Sequence, residues 1–499
     1  MTQTATFSLL ETTIEDIIAA YQSGELTARE LVEMYLRRIE ELDRAGPNIN
    51  CVITVNPEAL AEADRLDAIM TGSGPMGPLH GIPVLMKDQM DVKGTPTTLG
   101  SVIFKDYYPD RDSFVAEKLK QAGAILLAKV TLGELGGGDT HGTLFGSTRN
   151  PYDLERTVGG SSGGTGAGVN ANFAAIGVGQ EGFSSIRRPA AWNSCVGMRP
   201  TPGLVSRAGV YGGWPSRTGS LGPITRTVKD LATLLDVMVG YDPEDPMTAH
   251  GYGKAPVTYT ASLDPEGLKG ARIGIIRESM GNLAEPDTED YAKVTALFDK
   301  AVEELKGAGA TVIDPITIPS LNELLAKRAG ESNNSFEVWM NRSANPPFAS
   351  ASEMRQARGY AEYATRRNGG PVRERGEGGY YEYLKARDEL ETIVLKVMAD
   401  NKLDAIVHKS VEHQPTLIKD GINPPYTSSK GSAHLNTFLI YAASITVPAG
   451  FTEDGLPNGI TFFGRPYSEP TLIKLAYAYE QATHHRVPPT TTPALPGEP

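Results

Sequence analysis

Residues 158–166 read V-G-G-S-S-G-G-T-G. Glycine fills five of the nine positions around the adjacent Ser161 and Ser162. A tight turn needs only one or two glycines, and a phosphate cradle needs a lysine directly after them. Glycine-serine runs are commonly linkers, but strand-like apolar runs flank this one. Upstream, G-P-L-H-G-I-P-V-L-M-K-D (77–88) ends an apolar run on Lys87. Downstream, G-Q-E-G-F-S-S-I-R-R-P-A (179–190) places a second serine pair, Ser184 and Ser185, after another strand-like run.

These three stretches suggest a serine nucleophile activated without histidine. A serine hydroxyl is too weak an acid to attack an amide unaided and needs an adjacent base. Lysine serves only when neutral, and burial at a strand end disfavours its charged form. A second serine between the two passes the proton. The glycines let the backbone approach closely and turn N–H groups toward a developing oxyanion.

With G-I-P-x-x-x-K-D, G-G-S-S-G-G and a serine followed by I-R, the chain resembles the amidase signature family. Ser185 follows Ser161 by 24 positions, as in that family. The stretches 145–156 (F-G-S-T-R-N-P-Y-D-L-E-R), 197–206 (G-M-R-P-T-P-G-L-V-S) and 445–466 are similar as well. The likeness is dense over residues 8–240 and thinner over 400–485.

The resemblance implies that Lys87 is the general base and that Ser161, after a cis peptide bond from Gly160, relays protons. Ser185 is then the nucleophile that forms an acyl-enzyme, and Ser162 supports the lysine. Backbone N–H groups of Gly182, Phe183, Ser184 and Ser185 form the oxyanion hole. Gly136, Gly137, Gly138 and Thr140 line the acyl side, and neither cofactor nor metal is needed. The family loop G-T-D-x-G-G-S reads G-Q-E-G-F-S-S here, so Phe183 and Ser184 replace glycines. Any residue supplies an N–H, so the hole survives if the backbone there needs no glycine-only dihedrals. Glu181, in place of the aspartate, is expected to pair with Arg187 and stiffen the loop.

Apolar runs alternate with helical patterns along the chain. Residues 51–55, 82–86, 124–128, 175–178, 403–408, 444–447 and 459–463 read as strands. Residues 113–121, 228–239 and 470–482 read as helices. Thr27–Glu30 is a capping box, and Gly46-Pro47 closes the helix that follows. Residues 272–277, 288–307 and 311–313 form a β-α-β pattern. The fold class is α/β: a large, mixed, mostly parallel twisted sheet covered by helices on both faces. A single domain spans 1–485, with a loop-rich or helical cap at 320–380 where selectivity resides. Tyr380-Tyr381 there reads as a substrate cover or a packed core pair. The Pro/Thr-rich tail 486–499 is extended or disordered.

The chain has 499 residues, 40% hydrophobic and 21% charged, with a formal net charge of −13. That balance disfavours nucleic acid and anionic membranes as partners. Two cysteines, Cys51 and Cys195, exclude a disulfide scaffold. No signal peptide or membrane helix is evident, so a cytoplasmic location is expected, and a homodimer is compatible.

The leading function is a serine amidohydrolase cleaving the C–N bond of amides or carbamates, a urethanase included, with side esterase activity. The partner is a small amide, carbamate or ester. One alternative is the glutaminase subunit of an aminoacyl-tRNA amidotransferase, against which the acidic charge and the cap weigh. The other is a binding protein whose oxyanion loop has degenerated. His80 and His141 read as structural.

Overall fold

The computed structural model describes residues 7–330, 333–368, 379–433, 435, 438, 439 and 441–499. In chain order the strands are β1 (Val52–Val55), β2 (Pro83–Lys87), β3 (Ile125–Val130), β4 (His141–Gly142), β5 (Gly146–Ser147), β6 (Arg149–Asn150), β7 (Asp153–Thr157), β8 (Ile176–Glu181), β9 (Val196–Arg199), β10 (Ser220–Thr225), β11 (Arg272–Ile276), β12 (Thr311–Ile316), β13 (Ala405–Lys409), β14 (Ser444–Phe451) and β15 (Pro457–Phe463). Eleven form one sheet in the order β1-β3-β2-β8-β10-β9-β14-β15-β13-β11-β12.

The α/β class and the mixed sheet are as expected, but the balance of directions differs. Among the described residues four neighbour pairings are parallel: β3 with β2, β2 with β8, β13 with β11, and β11 with β12. The other six are antiparallel. The β14–β15 link is too short for a helical crossover, so these strands pair as a hairpin. The parallel groups lie toward the two ends of the sheet, joined through antiparallel strands. The β-α-β pattern is present as β11, helix Glu289–Gly307 and β12.

Strand interiors read as continuous apolar runs because helices cover the sheet. Ile82, Val84, Leu85, Met86, Ile125, Ile176 and Val178 are fully buried in the main core. Helix Ala28–Arg38 starts at the capping box, where the Thr27 hydroxyl accepts from the Glu30 N–H. Its last turns continue as a π-helix over Ile39–Arg44 before Gly46 takes φ +53°.

The segment where a cap is expected carries four short helices: Leu321–Ala326, Ser335–Met340, Ala351–Met354 and Tyr360–Asn368. Phe336, Trp339 and Met340 pack with Phe104 and Tyr107 in a separate core cluster. The G-E-G part of the cap's G-E-G-G-Y-Y lies outside the described residues, as do 331 and 332. Tyr380 and Tyr381 do not form a packed core pair. They stand exposed at the start of helix Tyr380–Asp400, and Tyr383 is the one buried.

The tail is extended and packed. Fully buried Arg38 pairs with Glu498 at 2.7 Å and donates to the carbonyls of Thr492 and Pro493. The Leu9 N–H reaches the Pro499 carbonyl, and the Tyr152 hydroxyl reaches that of Val487.

Candidate active site

β2 and β8 are adjacent and parallel, with Met86 opposite Val178. Their carboxyl ends lie side by side, where α/β sheets bind ligands. Lys87 ends β2 and Glu181 ends β8. The serine run of 158–166 crosses this edge and then begins helix Gly163–Asn170. That helix lies directly on the strands: a Cβ at Gly164 would sit 2.4–2.5 Å from Thr131, and one at Gly168 2.5 Å from Leu85. The glycines of this run therefore serve close packing.

Lys87 is fully buried. Its Nζ donates to Ser161 Oγ at 2.8 Å and to the Gln180 carbonyl at 3.2 Å. Among the described residues it forms no ion pair. Burial drives its pKa well below the ordinary value, and the more distant Glu181 only partly opposes this. The Gly160–Ser161 peptide is cis. The Ser161 carbonyl accepts from the Gly133 N–H, and the Ser162 N–H donates to the Ser185 carbonyl. Ser162 reaches the lysine indirectly: its Oγ donates to the Gln180 carbonyl at 3.1 Å, which Lys87 shares. Gln180 is not evident from the sequence. Its contribution is a backbone carbonyl, which carries no side-chain signal.

Ser185 follows β8 on a short loop and is 7% exposed, so its hydroxyl is close to the surface of the site. None of Gly182, Phe183, Ser184 and Ser185 has a positive φ, and a Cβ at Gly182 would meet nothing within 4 Å. The loop therefore accepts Phe183 and Ser184 without left-handed backbone. Among the described residues the N–H groups of Gly182, Ser184 and Ser185 have no acceptor in the protein.

Glu181 and Arg187 hold this loop from beneath. Both are fully buried, and Arg187 Nε lies 2.8 Å from Glu181 Oε1. Glu181 Oε2 accepts from the N–H groups of Ile186 and Arg187. Burial alone would raise the Glu181 pKa, but the charges of Arg187 and Arg199 and these N–H donors hold it below its ordinary value. Arg187 Nη2 also donates to the Phe183 carbonyl. Arg188 makes a second brace. It donates to the Gly160 carbonyl at 3.1 Å and pairs with Asp139 at 2.5 Å.

The glycine segment lies behind this edge. Gly137, Gly138 and Thr140 line a cavity of about 70 Å³ with Glu134, His141, Arg366 and Arg367. Its lining includes none of Lys87, Ser161 and Ser185. The Thr140 hydroxyl is engaged by the Gly159 carbonyl at 2.7 Å. Gly136 faces Gln89 and Tyr211 instead. His141 Nδ1 lies 2.6 Å from Ser147 Oγ, and burial lowers its pKa to about 4. His80 Nδ1 accepts from the Met76 N–H.

Among the described residues no group of His, Cys, Asp and Glu side chains has metal-binding geometry. No helix there is long and apolar enough to cross a membrane.

The Amidase family profile matches residues 30–473. The chain is 33% identical to a protein described as a probable amidase of Arabidopsis thaliana, covering 97% of this chain and 92% of that one. It is 32% identical to a glutamyl-tRNA(Gln) amidotransferase subunit of Geobacter metallireducens, over 95% and 98%. The crystal structure of the peptide amidase from Stenotrophomonas maltophilia superposes with a TM-score of 0.80, at 33% identity, over 97% and 99%. Sequence and fold thus agree along the length of the chain, which belongs to the amidase signature family of hydrolases that cut carbon–nitrogen bonds.

Proposed function

We propose that the protein is a serine amidohydrolase acting through an acyl-enzyme on Ser185. The observation that carries this is a fully buried lysine with no carboxylate partner among the described residues, its Nζ 2.8 Å from a serine hydroxyl. Ser185 Oγ attacks the substrate carbonyl carbon and gives its proton to Ser161 Oγ, while the Ser161 proton passes to neutral Lys87. The negative oxygen of the tetrahedral intermediate accepts from the N–H groups of the 182–185 loop. The C–N bond breaks as the relay runs in reverse and protonates the leaving amine. Water then attacks the acyl-enzyme by the same route and releases the acid.

Amides are the first substrate class, in keeping with the amidases among the relatives. A carbamate presents the same carbonyl to the same hole, so urethanase activity belongs to the proposal as a second acyl class. The similarity to an amidotransferase subunit favours glutamine as a further candidate, with a partner protein. The test is a matched panel: a p-nitroanilide, a p-nitrophenyl ester, an aryl carbamate and glutamine, each with wild type and Ser185→Ala. Anilide or carbamate turnover that vanishes in the variant supports the reading and ranks the class. Glutamine turnover only with a copurifying partner moves it to the amidotransferase. A folded enzyme that turns over nothing, alone or with a partner, overturns it.

A further inference from the structure

Phe183 stands in the oxyanion loop where the family pattern has glycine, and a glycine has no side chain to hold. Here the loop is gripped from two sides. Arg187, behind it, takes the Phe183 carbonyl. Arg328, from the cap, places its guanidinium carbon 4.7 Å from the centroid of the Phe183 ring, within the range of a cation–π contact. Arg328 follows helix Leu321–Ala326, whose Leu321, Leu324 and Leu325 are buried in a second core cluster with Ile276, Ile316 and Leu390. The cation thus lies just beyond an element packed at the other end of the sheet.

We propose that Arg328 is a positioning residue for the proposed reaction: its contact with Phe183 fixes the oxyanion loop so that its N–H groups face the carbonyl on Ser185. This rests on the serine amidohydrolase reading above. The Phe183 ring supplies the grip that replaces glycine's role in the loop, and the cap acts on the chemistry through it. An interaction that matters only once the oxyanion forms lowers kcat and kcat/KM together and leaves KM alone.

The experiment is a double-mutant cycle with Arg328→Ala and Phe183→Gly, with Arg328→Lys as the conservative variant, on the ester and anilide substrates. Arg328→Ala is expected to lower kcat about tenfold at unchanged KM and unchanged melting temperature, a typical loss for one oriented contact. Arg328→Lys is expected to recover most of that loss. In the Phe183→Gly background Arg328→Ala should change kcat less than about twofold, because the partner ring is gone. Wild-type kinetics in Arg328→Ala, or the same tenfold loss in the Phe183→Gly background, overturns the clamp. Fluorophosphonate labelling of wild-type Ser185 separates the two levels. A wild type that labels and turns over beside an unaffected Arg328→Ala sinks the clamp alone, whereas a wild type that never labels sinks the reading beneath it as well.

Discussion

Lys87 and Lys129 are both buried on neighbouring strands, with Lys87 opposite Val130 and Met86 opposite Lys129. Lys129 is neutralised by Asp88 at 2.9 Å and held by Thr97 and the Pro96 carbonyl. Lys87 has a hydroxyl and a carbonyl. Burial without a carboxylate partner among the described residues leaves Lys87 a lysine that loses its proton easily. Two consequences follow for pH. Lys87→Ala should cost far more activity at pH 7 than at pH 10, where hydroxide partly replaces the base; an equal loss across a pH–rate profile contradicts the role. The folded pKa is lowered, so between that value and the unfolded ~10.4 the unfolded chain binds the extra proton and stability rises with pH. In that window denaturant titrations should show wild type gaining about 1.4 kcal/mol per pH unit over Lys87→Ala. Ser184→Ala should keep most activity and Ser185→Ala none, and steady-state rates distinguish them. Residue type together with the family resemblance picks these positions out of the sequence. The sequence did not reveal Gln180, which acts through its carbonyl, nor the linkage of Ser162 to Lys87 through that carbonyl.

At the scale of elements, the loop after β8 depends on one buried ion pair. Glu181→Gln leaves the Arg187 charge buried with a weaker partner, and should cost about 3 kcal/mol in chemical unfolding together with a fall in kcat. Glu181's folded pKa is lowered, so its contribution is present above the unfolded ~4.3 and is lost as pH falls through the folded value. Stability measured across that acid range should fall less steeply in the variant. Helix Gly163–Asn170 is hidden from a sequence reading, because glycine is a poor helix former and its close packing on β2 and β8 explains it. Gly164→Ala would thrust a methyl against Thr131 and should destabilise the fold by about 1–3 kcal/mol. Nine of the eleven strands of the sheet were legible from apolar runs, and the start of helix Ala28–Arg38 from its cap; β9 and β10 were not, because glycine and proline interrupt their apolar pattern. Strand direction was not, since it depends on which distant strands become neighbours.

For the whole molecule, composition spoke to class, and the cap and tail needed the structure. A Pro/Thr-rich tail looks solvated in sequence, but its carbonyls and Glu498 answer the buried Arg38, some 460 positions away. Glu498→Gln should lower unfolding free energy by about 3 kcal/mol without altering KM. Residues of the 320–368 segment reach both sides of the site edge: Arg328 over Phe183, and Arg366 on buried Glu134 at 2.5 Å beside the glycine segment. The proposed function rests on Ser185 acting as a nucleophile driven by neutral Lys87. The most direct measurement is intact-mass and peptide-mapped fluorophosphonate labelling, timed at pH 7 and pH 10, for wild type, Ser185→Ala and Lys87→Ala. The expected result is a single adduct on Ser185, absent from Ser185→Ala, slow in Lys87→Ala at pH 7 and partly restored at pH 10. An adduct on Ser184, or Lys87→Ala labelling at the wild-type rate at pH 7, would contradict the account.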